Sequence, residues 1–272
     1  MTDRQQELLS LIRRDGAVRV KDMARRFRVT TQTIRRDLNA LCDAGMARRT
    51  HGGARAPDSA RVSNLDYRAR RALRRDAKQA VARVAAGLIP GGCSLMLNIG
   101  TTTEQVAVAL GGHAQLVVIS NNINIISTMM SAAPRELILV GGAVRCSDGA
   151  VIGEQAVEFI ARYKADYAVI GCSALDEDGA VLDFDSREVS VARAMLRNAR
   201  TRVLVCDHSK FARTAPMRIC NLDDLDFVVI DRRPGARFMQ VARAAGTRVL
   251  VAGQERATAG AHVEKGRETG TT

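Results

Sequence analysis

The chain has 272 residues, 46% hydrophobic and 26% charged, which excludes a disordered or fibrous polymer and leaves room for one domain of ordinary size beside a small one. Basic residues outnumber acidic ones to give a formal charge of +12, a balance suited to polyanions: nucleic acid, an acidic membrane surface or a phosphorylated ligand. No apolar run approaches a membrane span, and the polar start from Met1 to Glu7 has no apolar stretch behind it, so a cytoplasmic protein without signal peptide or membrane contact is expected.

Residues 1–56 read as a small basic module. Leu8, Leu9, Leu11 and Ile12 put an apolar stripe on a first helix that ends near Asp15 and Gly16. Val20, Met23, Ala24 and Phe27 have the spacing of a second. A tight connection through Arg28 and Val29 leads to a third, its start capped by Thr30 or Thr31. At about 100° per residue, Ile34, Leu38 and Leu41 of this helix face a core. Gln32, Arg36 and Asn39 face away from it, with Thr33 and Arg35 on the flanks. Glutamine and asparagine pair two-fold with adenine and arginine with guanine, and the helix start adds backbone donors for a phosphate. Two short helices joined by such a turn make a helix-turn-helix pattern over residues 20–39. Thr31, Gln32, Thr33, Arg35, Arg36 and Asn39 are its candidate DNA contacts; the bland alternative is a solvated helix face.

After a stop at Ala44 and Gly45, residues 46–54 alternate loosely and end in glycines. They read as a two-stranded wing, on which Arg48, Arg49 and His51 would touch phosphates or the minor groove. Thirteen basic residues stand against six acidic ones in this module, the electrostatic footprint that phosphate neutralisation requires.

The run Thr33, Ile34, Arg35, Arg36, Asp37, Leu38, with His51, Gly52, Gly53 and Ala54 further on, resembles the DeoR family of bacterial transcriptional regulators. The resemblance covers the whole module, including the 20–27 helix. It implies a winged helix-turn-helix that binds double-stranded operator DNA.

Residues 57–64 carry Pro57, Ser59 and Ser63 without periodicity and read as a linker. Residues 67–86 read as one basic helix, with Arg68, Arg70, Arg71, Arg74 and Arg75 among alanines, Leu73 and Val81. A helix bracing the second domain is favoured there over a direct DNA contact.

The pattern changes over residues 65–251. Branched apolar runs without alternation, at 94–98, 116–119, 137–140, 167–170, 203–206 and 227–230, look like buried parallel strands. Helical segments lie between several of them, at 104–110, 122–130, 151–161 and 186–199. Strand then helix, repeated, gives a doubly wound α/β domain, and such sheets hold ligands outside the carboxyl ends of their strands.

The candidate ligand site is therefore built from the residues just past each strand. Gly100 permits close backbone approach, and Thr101, Thr102 and Thr103 offer hydroxyls at a helix start, either a phosphate cradle without a Walker lysine or an ordinary cap. Asn121 and Asn122 come after the second strand; Gly142, Arg145 and Glu154 come after the third. Asp207 and Lys210 lie past the strand ending at Cys206, the lysine as a cation for a phosphate and the aspartate as an acceptor for a hydroxyl. Asp183, Asp185 and Glu188 add carboxylates near a helix start.

This constellation resembles the DeoR-type effector domain, which is related in fold to ribose-5-phosphate isomerase. Members usually carry Asp-Ser-Gly-Thr-Thr at the cradle; here Asn98 and Ile99 stand in the first two places. The isoleucine resembles the branch that senses glycerol 3-phosphate, as do Gly141, Gly142, Asp148, Gly149, Ile152, Gly153 and Glu154. Asn98 replaces the usual acid, so one hydroxyl contact is not carried over.

The six cysteines, Cys42, Cys93, Cys146, Cys172, Cys206 and Cys220, form no CxxC pair, and the four histidines make no metal spacing with them. They read as buried small hydrophobes, and no metal or cofactor is expected. Residues 252–272 are rich in glycine, threonine and charge and are expected to be disordered. Together the two modules imply a ligand-responsive repressor, not an enzyme, with no catalytic residues. Paired half-sites suggest a dimer, and the resemblance suggests a tetramer. Three alternatives stay open: an activator, a responder to another sugar phosphate, and an isomerase using Asp183, Asp185, Glu188, Asp207 and Lys210 as acids and bases.

Overall fold

The computed structural model describes residues 2–15, 17–44, 46–50, 52–55 and 67–253. His51, the linker at 57–64 and nearly all of the 252–272 tail lie outside the described residues. Contacts divide the chain into two compact units between residues 65 and 66.

The first unit contains α1 (Asp3–Asp15), β1 (Ala17–Arg19), α2 (Val20–Arg26), α3 (Thr31–Asp43), β2 (Arg48–Thr50) and β3 (Gly53–Arg55). Leu8, Ile12, Ile34, Leu38 and Leu41 are fully buried where α1 and α3 meet, joined by Val20 and Ala24 of α2. The α2–α3 turn passes through Arg28 at φ 52°, a left-handed residue that reverses the chain in a few steps. Thr30 then caps α3, its hydroxyl accepting from the Thr33 N–H at 3.2 Å.

The expected two-stranded wing is a three-stranded antiparallel sheet with β3 in the middle. The third strand, β1, comes from the α1–α2 connection, too short to read as a strand. Gly53 makes this pairing possible: a Cβ there would stand 2.0 Å from the Val18 carbonyl oxygen.

The second unit begins with α4 (Tyr67–Ala72) and α5 (Arg75–Gly87). The single helix expected over 67–86 is broken at Arg74, which adopts φ 53°, ψ 42°. The break has a local cause. Lys78, buried in α5, turns its ammonium back to donate to the carbonyls of Arg70 and of Leu73, the latter at 2.7 Å, and so caps the end of α4.

Seven parallel strands come next: β4 (Ser94–Leu97), β5 (Val117–Ser120), β6 (Glu136–Leu139), β9 (Ala165–Ile170), β12 (Ala199–Cys206), β14 (Phe227–Ile230) and β15 (Arg248–Val251). Their order across the sheet is β15-β14-β12-β9-β4-β5-β6. Val203 and Val205 point into one core with α5, α6 (Thr101–Ala109) and α7 (Ile123–Met130). Leu204 and Cys206 point into another with α9 (Ser186–Arg197) and α10 (Ala236–Ala244). With both faces covered, the strands have no polar alternation. The seventh strand and α10 were not expected from the sequence.

Two small sheets decorate the rim. β7 (Val144–Arg145) pairs with β8 (Ala150–Val151), and β10 (Ala174–Leu175), β11 (Val181–Asp183) and β13 (Met217–Cys220) form a second. The helix expected over 151–161 is shorter than its pattern: Val151 belongs to β8, and α8 (Glu154–Ile160) starts after Gly153 at φ 96°. Cys93, Cys172, Cys206 and Cys220 are buried as expected, whereas Cys42 is half-buried and Cys146 is exposed in the β7–β8 turn.

Candidate functional site

In the first unit, α3 places Thr31, Gln32, Arg35, Arg36 and Asn39 in solvent, with Thr33 half-exposed at the flank. Neither Arg35 nor Arg36 pairs with a carboxylate among the described residues. The acid between them and Leu38 is turned inward: buried Asp37 accepts from Arg4 Nε at 2.6 Å and from Gln5 Nε2 at 3.2 Å. The outer face of α3 is therefore left with amide and guanidinium donors. Arg48 and Arg49 are exposed on β2.

In the second unit, strand order reverses between β4 and β9. This is the topological switch point, where the chain leaves adjacent strands in opposite directions and opens a crevice at their carboxyl ends. Asn98 lies just past β4 and bridges that crevice, its Oδ1 accepting from the Gly171 N–H at 3.0 Å. Gly100 starts α6 at φ 152°, ψ 148° without a side-chain cap. The buried Thr103 hydroxyl is 2.8 Å from the carbonyl oxygens of both Asn98 and Gly100 and holds the turn. First-turn N–H groups of a helix have no partner within it, so this turn leaves backbone donors that an anion could use.

Gly171 lies just past β9, where a Cβ would sit at ordinary contact distance, 3.9 Å from Thr103 Cγ2 and from the Val205 carbonyl oxygen. Beyond it, buried Asp207 caps the 3-10 turn His208–Ala212 by accepting from the Ser209 N–H at 2.9 Å. Burial opposes ionisation of Asp207, but Ser209 and the Lys210 charge hold its carboxyl below the usual range. Burial is also what pushes Lys78 down to about 8, against the attraction of Asp207 and with the repulsion of Lys210 and Arg213.

Helix α4 and the Arg74 break that follows it are tied to Glu104 of α6 and to two loop acids. The Tyr67 hydroxyl donates to Glu104 at 2.7 Å, and Arg71 Nε is 3.8 Å from the same carboxylate. Arg70 lies 3.7 Å from Asp148, and Arg74 lies 3.7 Å from Asp207. Arg145 forms a second cluster, bonded to Asp148 at 2.6 Å and also to Asp185 and Glu188. Burial, with the neighbouring Asp183 charge, pushes Glu188 up to about 7 despite Arg145. Asp183, raised by burial, accepts from Ser173 Oγ and the Phe184 N–H.

The structure thus gathers some expected residues and separates others. Gly100, Thr101, Thr102 and Thr103 form the turn, with Asp207 and Lys210 two strands away. Asn122 is spent as the α7 cap, accepting from Asn124 and Ile125. Asn121 donates to the Val151 carbonyl at 2.9 Å and leaves an enclosed Oδ1 without a partner. Gly142 serves a close approach, since a Cβ would stand 2.8 Å from Val151 Cγ1. Glu154 is exposed at the start of α8 and makes no salt bridge to the described residues. A groove of about 770 Å³ is lined by Tyr67, Arg71, Arg75, Gln105, Asn124 and Asp148. None of the turn residues lines it, so it is separate from the crevice.

The chain matches the DeoR-like helix-turn-helix domain over residues 4–60 and the DeoR C-terminal sensor domain over residues 73–232. The chain belongs to the DeoR family. This DeoR-family protein is 39% identical over 240 residues to the glycerol-3-phosphate regulon repressor of Escherichia coli (strain K12), across 88% of this chain and 94% of that one. It is 40% identical to the protein of the same name from Haemophilus influenzae, across 83% and 87% of the two chains. It is 34% identical to the HTH-type transcriptional repressor CsqR of E. coli, across 86% and 88%. Among solved structures, ribose 5-phosphate isomerase from Plasmodium falciparum shares 13% identity at a TM-score of 0.37, over 49% of this chain and 52% of that one. The eIF2B beta subunit from Chaetomium thermophilum shares 16% at a TM-score of 0.45, over 63% and 54%.

Several residues of this DeoR-family crevice carry little signal in the sequence: Lys78, Arg70 and Arg74 as cations, Ser173 as an anchor for Asp183, and Gly171. Arg70, Arg74 and Lys78 are spaced by four, which on an unbroken helix would form one stripe, but the break at Arg74 puts them on separate segments. Gly171 carries no signal without the strand order.

Proposed function

We propose that this chain is a sequence-specific repressor of glycerol and glycerol 3-phosphate metabolism genes that leaves its operator when glycerol 3-phosphate fills the switch-point crevice. The observation that carries the reading is the pairing, in one DeoR-family chain, of an exposed donor face on α3 with a glycine turn at a topological switch point. The relatives' names supply the choice of glycerol 3-phosphate.

On this reading Gln32, Arg36 and Asn39 meet base edges, and Thr31, Thr33, Arg35, Arg48, Arg49 and His51 meet backbone or groove walls. The first-turn N–H groups of α6 take the phosphate, with Thr101 and Thr102 beside them and Lys210, past the end of β12, as the cation. An incoming phosphate also offers Arg70 and Arg74 an alternative to Asp148 and Asp207. Arg70 lies in α4 and Arg74 just after it, and α4 is the described element next to the linker in the chain, so a shift of these arginines would be felt at the start of the sensor unit. A ligand moves such an equilibrium only by binding two arrangements unequally, commonly by about 1–3 kcal/mol. A homo-oligomer, dimer or tetramer, would place two reading helices on paired half-sites.

The rival reading, an isomerase, draws on Asp183 and Glu188, two carboxyls raised by burial. Arg145 holds Glu188 and Ser173 holds Asp183, which suits a scaffold better than a proton shuttle. We therefore propose that the chain is not an enzyme. The test is operator binding by the full-length chain, on a duplex selected from a random pool, with and without glycerol 3-phosphate. Release by the ester supports the proposal; unchanged affinity at millimolar ester removes the effector, and turnover of ribose 5-phosphate would revive the enzyme.

A further inference from the structure

Asn98 has one group left over. Its backbone N–H donates to the Val169 carbonyl at 3.2 Å, and its carbonyl accepts from Thr103 Oγ1 at 2.8 Å. Its side-chain oxygen accepts from the Gly171 N–H at 3.0 Å. That last bond fixes the amide orientation, because a backbone N–H is satisfied only by the oxygen end. The NH2 end therefore points away from Gly171 and donates to nothing among the described residues.

The residue as a whole is only 7% exposed. Its nitrogen is nevertheless not sealed in. The enclosed, partnerless side-chain polar atoms among the described residues are Arg70 Nε and Asn121 Oδ1. Asn98 Nδ2 thus touches open space past the end of β4, two residues before Gly100 in the chain.

We infer that Asn98 sets the effector specificity of the crevice, an inference that rests on the phosphate-site reading of the Gly100 turn. An amide NH2 donates only. It satisfies an oxygen that accepts only, such as a ketone, as well as the oxygen of an alcohol. A carboxylate in the same place would accept only: it would bond an alcohol, oppose a ketone oxygen, and add negative charge beside the phosphate. Sites built around one hydrogen bond reject the analogue that cannot complete it. Asn98 therefore opens the crevice to three-carbon phosphate esters that carry a ketone next to the ester carbon, alongside the alcohol.

Asn98→Asp isolates the effect, since an aspartate Oδ1 still accepts from Gly171 and the shape is unchanged. The probes are glycerol 3-phosphate and its ketone counterpart, dihydroxyacetone phosphate, titrated calorimetrically into the full chain, with inorganic phosphate as a third arm. Expected for the natural chain are affinities for the two esters within about threefold; in N98D the ketone ester weakens relative to the alcohol by about tenfold or more. The inference is overturned if the ratio of the two affinities is the same in both proteins. It is equally overturned if the natural chain already rejects the ketone ester by about tenfold, a readout independent of whether the variant folds. If the esters bind and only the ratio fails to move, the specificity role alone is lost. If neither ester nor phosphate binds the natural chain, the phosphate reading falls first and this inference with it.

Discussion

Thr103 and Gly100 face each other across the first turn of α6: the threonine hydroxyl lies 2.8 Å from the Gly100 carbonyl, and a Cβ on Gly100 would stand 3.1 Å from that same hydroxyl. Gly100 also sits at φ 152°, ψ 148°, a region that side-chain-bearing residues avoid. Gly100→Ala should therefore strain the turn by about 1–3 kcal/mol and disturb the donors it presents. The expected outcome is a lower melting temperature of the sensor unit and loss of ester binding, with operator affinity retained. Calorimetry and operator titration on the same preparation check both halves; full ester binding by a folded variant would move the phosphate away from this turn.

Lys78 ties α4 to α5 through the Arg70 and Leu73 carbonyls. Lys78→Met fills the same space without the donors and should cost about 2 kcal/mol, from two charge-assisted bonds lost to backbone acceptors. The pH dependence has a definite sign. Burial lowers the folded pKa to about 8 from the ordinary 10.5. Between those values the unfolded chain holds a proton that the folded chain has released, so this group makes stability rise with pH across that window. Buried thiols with raised pKa values pull the other way at alkaline pH, so the readout is a difference: relative to Lys78→Met, the natural chain should gain melting temperature as pH rises above 8.

Much of this arrangement was legible in the sequence, for identifiable reasons. The strand runs lacked polar alternation because helices cover both sheet faces, and the α3 wheel separated Ile34, Leu38 and Leu41 from Gln32, Arg36 and Asn39 because a helix against a core has only one wet side. The hidden part depends on long-range geometry. The break at Arg74 is fixed by a lysine four residues further on whose bonds run backwards. Asn122 looked like a ligand contact, but its side chain is spent within its own turn. Gly171 and Asn98 become partners only once β9 is placed beside β4, although 73 residues separate them.

Glu188 provides a pH signature on the acidic side. Burial raises its carboxyl from 4.5 to about 7, with Asp183 adding to the rise and Arg145 opposing it. Between those values the folded chain holds a proton that the unfolded chain has lost, so this group makes stability fall as pH rises, and the penalty is complete above pH 7. Glu188→Gln should flatten that slope. It should raise the melting temperature at pH 8 relative to pH 5, because Arg145 keeps Asp148 and Asp185 as partners. Melting curves at the two pH values decide it; an unchanged slope would assign the proton to another group of the cluster.

Arg36 and Arg49 are both exposed, yet they should fail differently when removed. Arg36 lies on the outer face of α3 with Gln32 and Asn39, while Asp37, the neighbouring acid, is occupied by Arg4 and cannot quench it. Arg36→Ala should cost about 1–3 kcal/mol at one base position and relax the preference there, leaving affinity for unrelated duplexes almost unchanged. Arg49, on β2, has no helix face to aim it into the major groove and is expected to neutralise a phosphate. Arg49→Ala should weaken every duplex alike and reduce the slope of log affinity against log salt by about 1. Titrations of both variants over a panel of single-base operator changes, at two salt concentrations, separate the roles. Uniform weakening by Arg36→Ala would make it a backbone contact and shift base reading to Gln32 and Asn39, which are exposed on the same face.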